Sequence, residues 1–237
     1  MSLDLFINTL NRNIDKITKL PIQSIRIEKL FECYDRLLFD NNAWLEAKNW
    51  LSKKKFITRD DLRNLATDCS TSKKAWSVLF IVTMLWGYGE KDDSGPVKLY
   101  FALKTPDASR IINNTAGLIS LGKLTEGFLE IRKLNEIGGS YGTKYLFSVG
   151  LAFNLNPRPL VLDRKVEKSL KALWGDDAEK YFRLKERTYT YEKGAMRAAD
   201  GYLKYCIALE TAAAKLTNPV TPVLLEQFLF EADKTNA

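Results

Sequence analysis

The sequence predicts an all-α protein, folded as one two-lobed helical unit with a cleft between the lobes. Three observations predict it. Apolar residues recur at helical spacing along nearly the whole chain, capping hydroxyls precede several first turns, and glycine and proline fall where the periodic stretches stop. With 237 residues, 46% of them hydrophobic, the chain is long enough for a substantial core. Aromatic residues at 11%, charged residues at 27% and the lack of any low-complexity run argue against extended disorder.

In chain order, the first helix is expected at about 1–18, where Leu3, Phe6, Ile7, Leu10, Ile14 and Ile17 share one face. Periodicity alone predicts 22–38 and 41–52. Thr58 ahead of Asp60 and Asp61 predicts a capped start for 58–68. The run Ala75 to Tyr88, broken by Ser77 and Thr83, is too short to span a bilayer and reads as a buried helix at 72–87. The loop Asp92-Asp93-Ser94-Gly95-Pro96 precedes a helix at 96–103. Thr105 before Pro106-Asp107 is read as a cap for 106–115, and 119–134 follows. A helix at 142–154 ends in the loop Asn154-Leu155-Asn156-Pro157-Arg158-Pro159. The remaining helices are 163–173, 176–184, 192–216 and 221–232, the last capped by Thr221 before Pro222. Residues 95–175 are assigned to one lobe, and 1–94 with 176–237 to the other.

Composition removes several kinds of chemistry. The chain has no histidine, which excludes the commonest general base, the commonest zinc ligand and every Ser-His-Asp or Cys-His arrangement. Catalysis would have to use carboxylate, amine, phenol or thiol. Cys33, Cys69 and Cys206 are far apart, with no CxxC or four-cysteine cluster, so we expect reduced, buried thiols and neither metal, metal cluster nor other cofactor. A net charge of +7 favours polyanionic partners, although runs such as Lys53-Lys54-Lys55 are ordinarily solvated faces. The N-terminal stretch has an acidic residue and helical spacing in place of a basic head and apolar run, which predicts no secretion signal and a cytoplasmic protein, nucleoid-associated if bacterial.

The segment from Leu134 to Leu170 carries the chemistry. A helix ending near Asn135 meets Ile137-Gly138-Gly139-Ser140-Tyr141-Gly142, whose three glycines permit positive φ and close backbone approach. The next helix, beginning near Gly142, would offer its first N–H groups to a phosphate without reading sequence. Lys144 is read in the first turn of that helix, where the helix dipole disfavours an ammonium. The dipole and burial would each favour the neutral, nucleophilic amine. Asp163 follows the proline loop in a helix N-cap setting, ahead of Val166 and Leu170 on one face.

Here the chain resembles the helix-hairpin-helix DNA glycosylase superfamily, and within it the 8-oxoguanine DNA glycosylase/AP lyase branch. That branch has a hairpin ending in Gly-Thr-Lys and, after one helix and a proline-containing loop, an aspartate; Gly142-Thr143-Lys144 and Asp163 match in type and spacing. The resemblance implies that Lys144 displaces the base at C1′ of a flipped-out nucleotide and forms a Schiff base. It implies that Asp163 stabilises the cationic sugar and orients or deprotonates the amine. Gly139, Gly142, Arg164 and Lys165 would contact the DNA backbone, and Ser148, Trp86 and Tyr88 would border the base pocket. The partner implied is double-stranded DNA, bound by a monomer with no membrane involved. The loop Gly139-Ser140-Tyr141-Gly142 replaces the commoner Pro-Gly-aliphatic-Gly of the family.

Taken singly, Lys144 reads as a solvated lysine and Asp163 as an ordinary cap worth about 1 kcal/mol. Trp86 and Tyr88 read either as core aromatics or as rings that Gly87 and Gly89 let protrude to stack on a nucleotide. Tyr202 and Tyr205 are expected in the core. Two other functions compete: a non-catalytic helix-hairpin-helix module that grips DNA within a repair or defence assembly, and a helical protein-interaction domain whose charge is incidental. The excised base is expected to be oxidised guanine, or else another modified base such as a bulky pyrimidine of phage DNA.

Overall fold

The computed structural model describes residues 3–20, 24–26, 31–38, 41–88, 94–175, 177–182, 192–218 and 220–235. Gly89, Asp92 and Asp93 of the expected loops, the side chain of Cys33, and parts of the helices expected at 1–18, 22–38 and 176–184 lie outside these residues. Among the described residues the regular structure is helical, apart from one two-stranded ribbon.

The first expected helix is two, α1 (Leu3–Asn11) and α2 (Ile14–Thr18). The break falls at Asn13, whose side-chain amide donates to the Thr9 carbonyl at 3.0 Å, a local bond that competes with helix continuation. The helix expected at 22–38 is corrected more strongly. Among the described residues of that stretch, Ser24–Arg26 is a strand, β1, and Phe31–Leu38 is helical, as α3. β1 pairs antiparallel with β2 (Phe56–Thr58), Ile25 opposite Ile57, and these β-branched residues suit a pleated ribbon better than a helix.

Next come α4 (Asn42–Leu51) and α5 (Arg59–Ser70), the latter opened by a full capping box between Thr58 and Asp61. α6 (Trp76–Tyr88) is the central helix. Its residues Val78 to Leu85 are fully buried because α10, α4, α5, α8 and α7 surround it. α7 (Gly95–Leu103) and α8 (Ala108–Ser120) follow. Thr105 does not cap α8. Asp107, at φ 60°, starts that helix, while the Thr105 hydroxyl accepts from the Asn135 amide at 2.8 Å and so ties α7 to a later turn.

α9 (Leu124–Ile131) is shorter than the helix expected at 119–134, because Gly122 at φ 74° separates it from α8. A turn over 132–138 leads into α10 (Gly139–Gly150), which begins and ends a few residues earlier than expected. Beyond the loop with its cis Asn156–Pro157 bond come α11 (Arg164–Trp174), α12 (Asp177–Phe182), α13 (Glu192–Lys215) and α14 (Pro222–Thr235). α11 packs on α14 and α12, and α13 packs on α9, α12 and α14, so the last helices of the chain close around the segment that precedes α11.

Candidate functional site

α10 carries the lysine. Gly138 is the N-cap, which makes Lys144 the sixth residue of the helix, in its second turn and not its first. The dipole argument therefore weakens, since that field fades beyond the first turn, and burial takes over. Lys144 is 8% exposed, and burial lowers the proton affinity of its amine, with Asp163 opposing.

Asp163 caps α11 with one carboxylate oxygen and meets the lysine with the other. Oδ1 accepts from the amides of Lys165 (3.0 Å) and Val166 (3.1 Å), while Oδ2 lies 3.5 Å from Lys144 Nζ. The cap thus fixes the orientation in which the second oxygen faces the amine.

Three groups set the distance between acid and amine. The Thr143 hydroxyl accepts from the Leu162 amide at 3.1 Å, joining the residue before the lysine to the residue before the aspartate. Tyr202 and Tyr205 on α13 donate to the carbonyls of Leu160 (3.0 Å) and Val161 (2.9 Å). Both tyrosines are fully buried, as expected.

Gly87, near the end of α6, shapes the other side of the amine. Its carbonyl accepts from Lys144 Nζ at 3.1 Å, and a Cβ at this position would stand 2.7 Å from Lys144 Cδ. The glycine therefore makes room for the lysine and does not release the neighbouring aromatics. Trp86 and Tyr88 do not protrude: they are 4% and 7% exposed, Trp86 stacked on Phe147 (centroids 6.1 Å, 19°) and Tyr88 against Tyr141 (4.6 Å). Tyr141 also stands between two ammonium groups, with Lys144 Nζ and Lys98 Nζ each 5.3 Å from its ring centroid. Ser148 is buried one turn beyond the lysine, and its hydroxyl donates to the Lys144 carbonyl at 3.0 Å.

The residues expected at the DNA backbone divide. Gly139 is the first residue of α10, and its amide has by position no acceptor within the helix. The Gly142 amide instead donates to the Gly138 carbonyl at 2.9 Å, so it is spent within the helix. Gly142 serves contact, because a Cβ there would stand 3.0 Å from Ile131 Cγ2 of α9. A groove lined by Arg132, Lys133, Gly138, Gly139, Ser140 and Tyr141 opens beside this helix start. Arg164 and Lys165 are both exposed, the ammonium of Lys165 lying 4.5 Å over the Phe230 ring of α14.

Sequence reasoning missed Gly87, Arg59 and Glu226. Arg59 and Glu226 form a buried ion pair at 2.6 Å, and Glu226 acts electrostatically on both Lys144 and Asp163. The thiols of Cys69 and Cys206 are buried and pushed up to about 12, which removes them as competing nucleophiles. Among the described residues no cluster suited to a metal ion occurs, and no helix is long and apolar enough to cross a membrane.

Residues 37–230 match the family model described as "Putative 8-oxoguanine DNA glycosylase OGG-like protein". No curated protein and no solved structure matches the chain.

Proposed function

We propose, from the premise that the chain belongs to the 8-oxoguanine DNA glycosylase OGG-like family, that Lys144 is the nucleophile of a glycosylase that also cleaves the DNA strand. The family is one of DNA glycosylases, so DNA is the polymer acted on. One observation carries the residue assignment: a buried amine of depressed proton affinity stands 3.5 Å from a carboxylate whose other oxygen is fixed by a helix cap.

In the mechanism we propose, neutral Lys144 Nζ bonds to C1′ of an extruded nucleotide as the glycosidic C1′–N bond breaks. The base leaves with that electron pair and takes up a proton. The positive charge that builds on the sugar is lowered in energy by the Asp163 carboxylate, which then accepts the proton shed by the amine. Opening of the sugar ring leaves an imine between Nζ and C1′. Loss of a C2′ proton then expels the 3′ phosphate, and the strand is nicked.

DNA would lie along the groove beside the start of α10. A backbone phosphate would meet the amides at the start of α10, and Arg132, Lys133 and Arg164 would supply charge. The helix-hairpin-helix of this reading is α9, the turn 132–138 and α10. Ser148, Trp86 and Tyr88, packed around Lys144, would back the base pocket from within the core, and oxidised guanine is the base we assign. A bulky modified pyrimidine of phage DNA is the competing substrate.

The test is borohydride trapping on duplexes carrying 8-oxoguanine, an abasic site or a modified pyrimidine. The wild type is expected to form a covalent adduct that Lys144→Gln abolishes. An adduct that persists in Lys144→Gln refutes the nucleophile. Tight DNA binding without release of any base, unchanged by Lys144→Gln, establishes the non-catalytic binding module instead.

A further inference from the structure

We infer that Arg59 and Glu226 form a second buried ion pair that positions the reactive amine electrostatically, Arg59 neutralising Glu226 so that Lys144 keeps Asp163 as its carboxylate partner. The inference rests on the reading of Lys144 as nucleophile.

Arg59 opens α5 and Glu226 lies on α14, far apart in sequence, yet Arg59 Nη1 stands 2.6 Å from Glu226 Oε2 with the side chains 10% and 1% exposed. The guanidinium is held flat by rings: its carbon lies 4.9 Å from the Phe147 centroid and 5.6 Å from that of Trp86. Phe147 belongs to the same helix as Lys144, one turn on. Apolar residues of similar volume often replace a buried ion pair without loss of stability, so stability alone gives little reason for sealing this one here.

The surroundings supply a reason. Lys144 meets Asp163 of the α11 start, the Gly87 carbonyl of α6 and the Tyr141 ring of its own helix, and it also feels the charges of Glu226 on α14 and Lys165 on α11. Glu226 is faced by Arg59, Asp163, Lys144 and the phenol of Tyr205 on α13. Without Arg59, Glu226, whose proton affinity burial already raises, would act on the amine wherever it stays ionised, as an unbalanced buried anion favouring the ammonium and competing with Asp163 for it. Without Glu226, the guanidinium would be an unbalanced cation, favouring the neutral amine. The two losses therefore act in opposite directions, which no purely structural role produces.

The experiment follows single-turnover nicking and borohydride trapping of an abasic-site duplex against pH, a substrate that needs no base recognition. Full-length wild type is compared with Arg59→Met, Glu226→Gln and the double variant, each checked by thermal denaturation. Arg59→Met should raise the acid-side midpoint by about one pH unit and Glu226→Gln should lower it by about one. That is the order of magnitude expected of a single nearby charge at an effective dielectric of about 20. The double variant should return to the wild-type midpoint. Shifts in the same direction, or none, overturn the inference while leaving the nucleophile intact. Failure of the wild type to form any adduct overturns both. Should Arg59→Met not fold, the near-isosteric Glu226→Gln decides alone, and an unmoved or raised midpoint refutes the proposal.

Discussion

Replacing Gly87 by alanine isolates the placement of the amine from everything else the protein does. The new Cβ would stand 2.7 Å from Lys144 Cδ, 3.6 Å from Cε and 3.7 Å from Nζ. Ordinary carbon contacts need about 3.5–4.0 Å, so Cδ must retreat by roughly 1 Å, carrying Nζ away from the Gly87 carbonyl and from Asp163. A displacement of about 1 Å at a reacting group costs on the order of 100-fold in rate. Stability should hardly move. Alanine is favoured over glycine inside a helix by roughly 0.5–1 kcal/mol, and a lysine forced off its rotamer costs about 0.5–1.5 kcal/mol, so the two nearly cancel. Single-turnover trapping on an abasic-site duplex, read beside a thermal melt and DNA affinity, should show adduct formation about 100-fold slower with unchanged melting temperature and binding. Trapping at the wild-type rate would refute the argument that this glycine seats the lysine.

Asp163→Asn keeps a good cap, so denaturant unfolding should match the wild type while base release slows by at least tenfold; Asp163→Ala should lose about 1 kcal/mol of stability as well, and equal stability in both variants would deny the capping role. Thr143→Val strands the buried Leu162 amide, predicting a loss of about 1–3 kcal/mol by chemical denaturation that Thr143→Ser largely restores; a fully stable Thr143→Val would mean the bond holds nothing. Arg164→Ala should reduce the slope of log affinity against log salt by about 0.9 in a fluorescence titration, whatever the DNA sequence, and an unchanged slope would remove Arg164 from the interface. Because burial outweighs Asp163 in lowering the proton affinity of Lys144, the acid-side midpoint of trapping should fall below the ordinary lysine value of about 10.4. Below that midpoint the amine is protonated and the rate drops; a midpoint at or above the ordinary value would contradict the burial argument.

How far the site was legible depended on where its parts sit in the chain. Lys144 and Asp163 lie within one continuous stretch whose glycines, prolines and cap announce the local geometry. The Asp163 cap, the Thr58 cap and the apolar helix α6 came through because each is set by neighbours in sequence. Gly87, Arg59 and Glu226 reach the same place through helix packing, and no local pattern marks a glycine that yields space to a side chain 57 positions away. The aromatics at 86 and 88 take the core alternative of the two the sequence left open, and the small residue between them serves the lysine. The ribbon of β1 and β2 was missed because three residues are too few for a period to show.

The paired phenols of Tyr202 and Tyr205 have a practical consequence. They grip the chain just ahead of the acid from some 40 positions downstream, so the reactive motif, though contiguous and bridged internally by the Thr143–Leu162 bond, takes two of its three distance-setting contacts from outside itself. A peptide spanning the turn and both reactive groups would contain every atom of the chemistry and keep only the Thr143–Leu162 bond to hold the gap between them. Transplanting this activity into another scaffold would require carrying α13 along as the ruler.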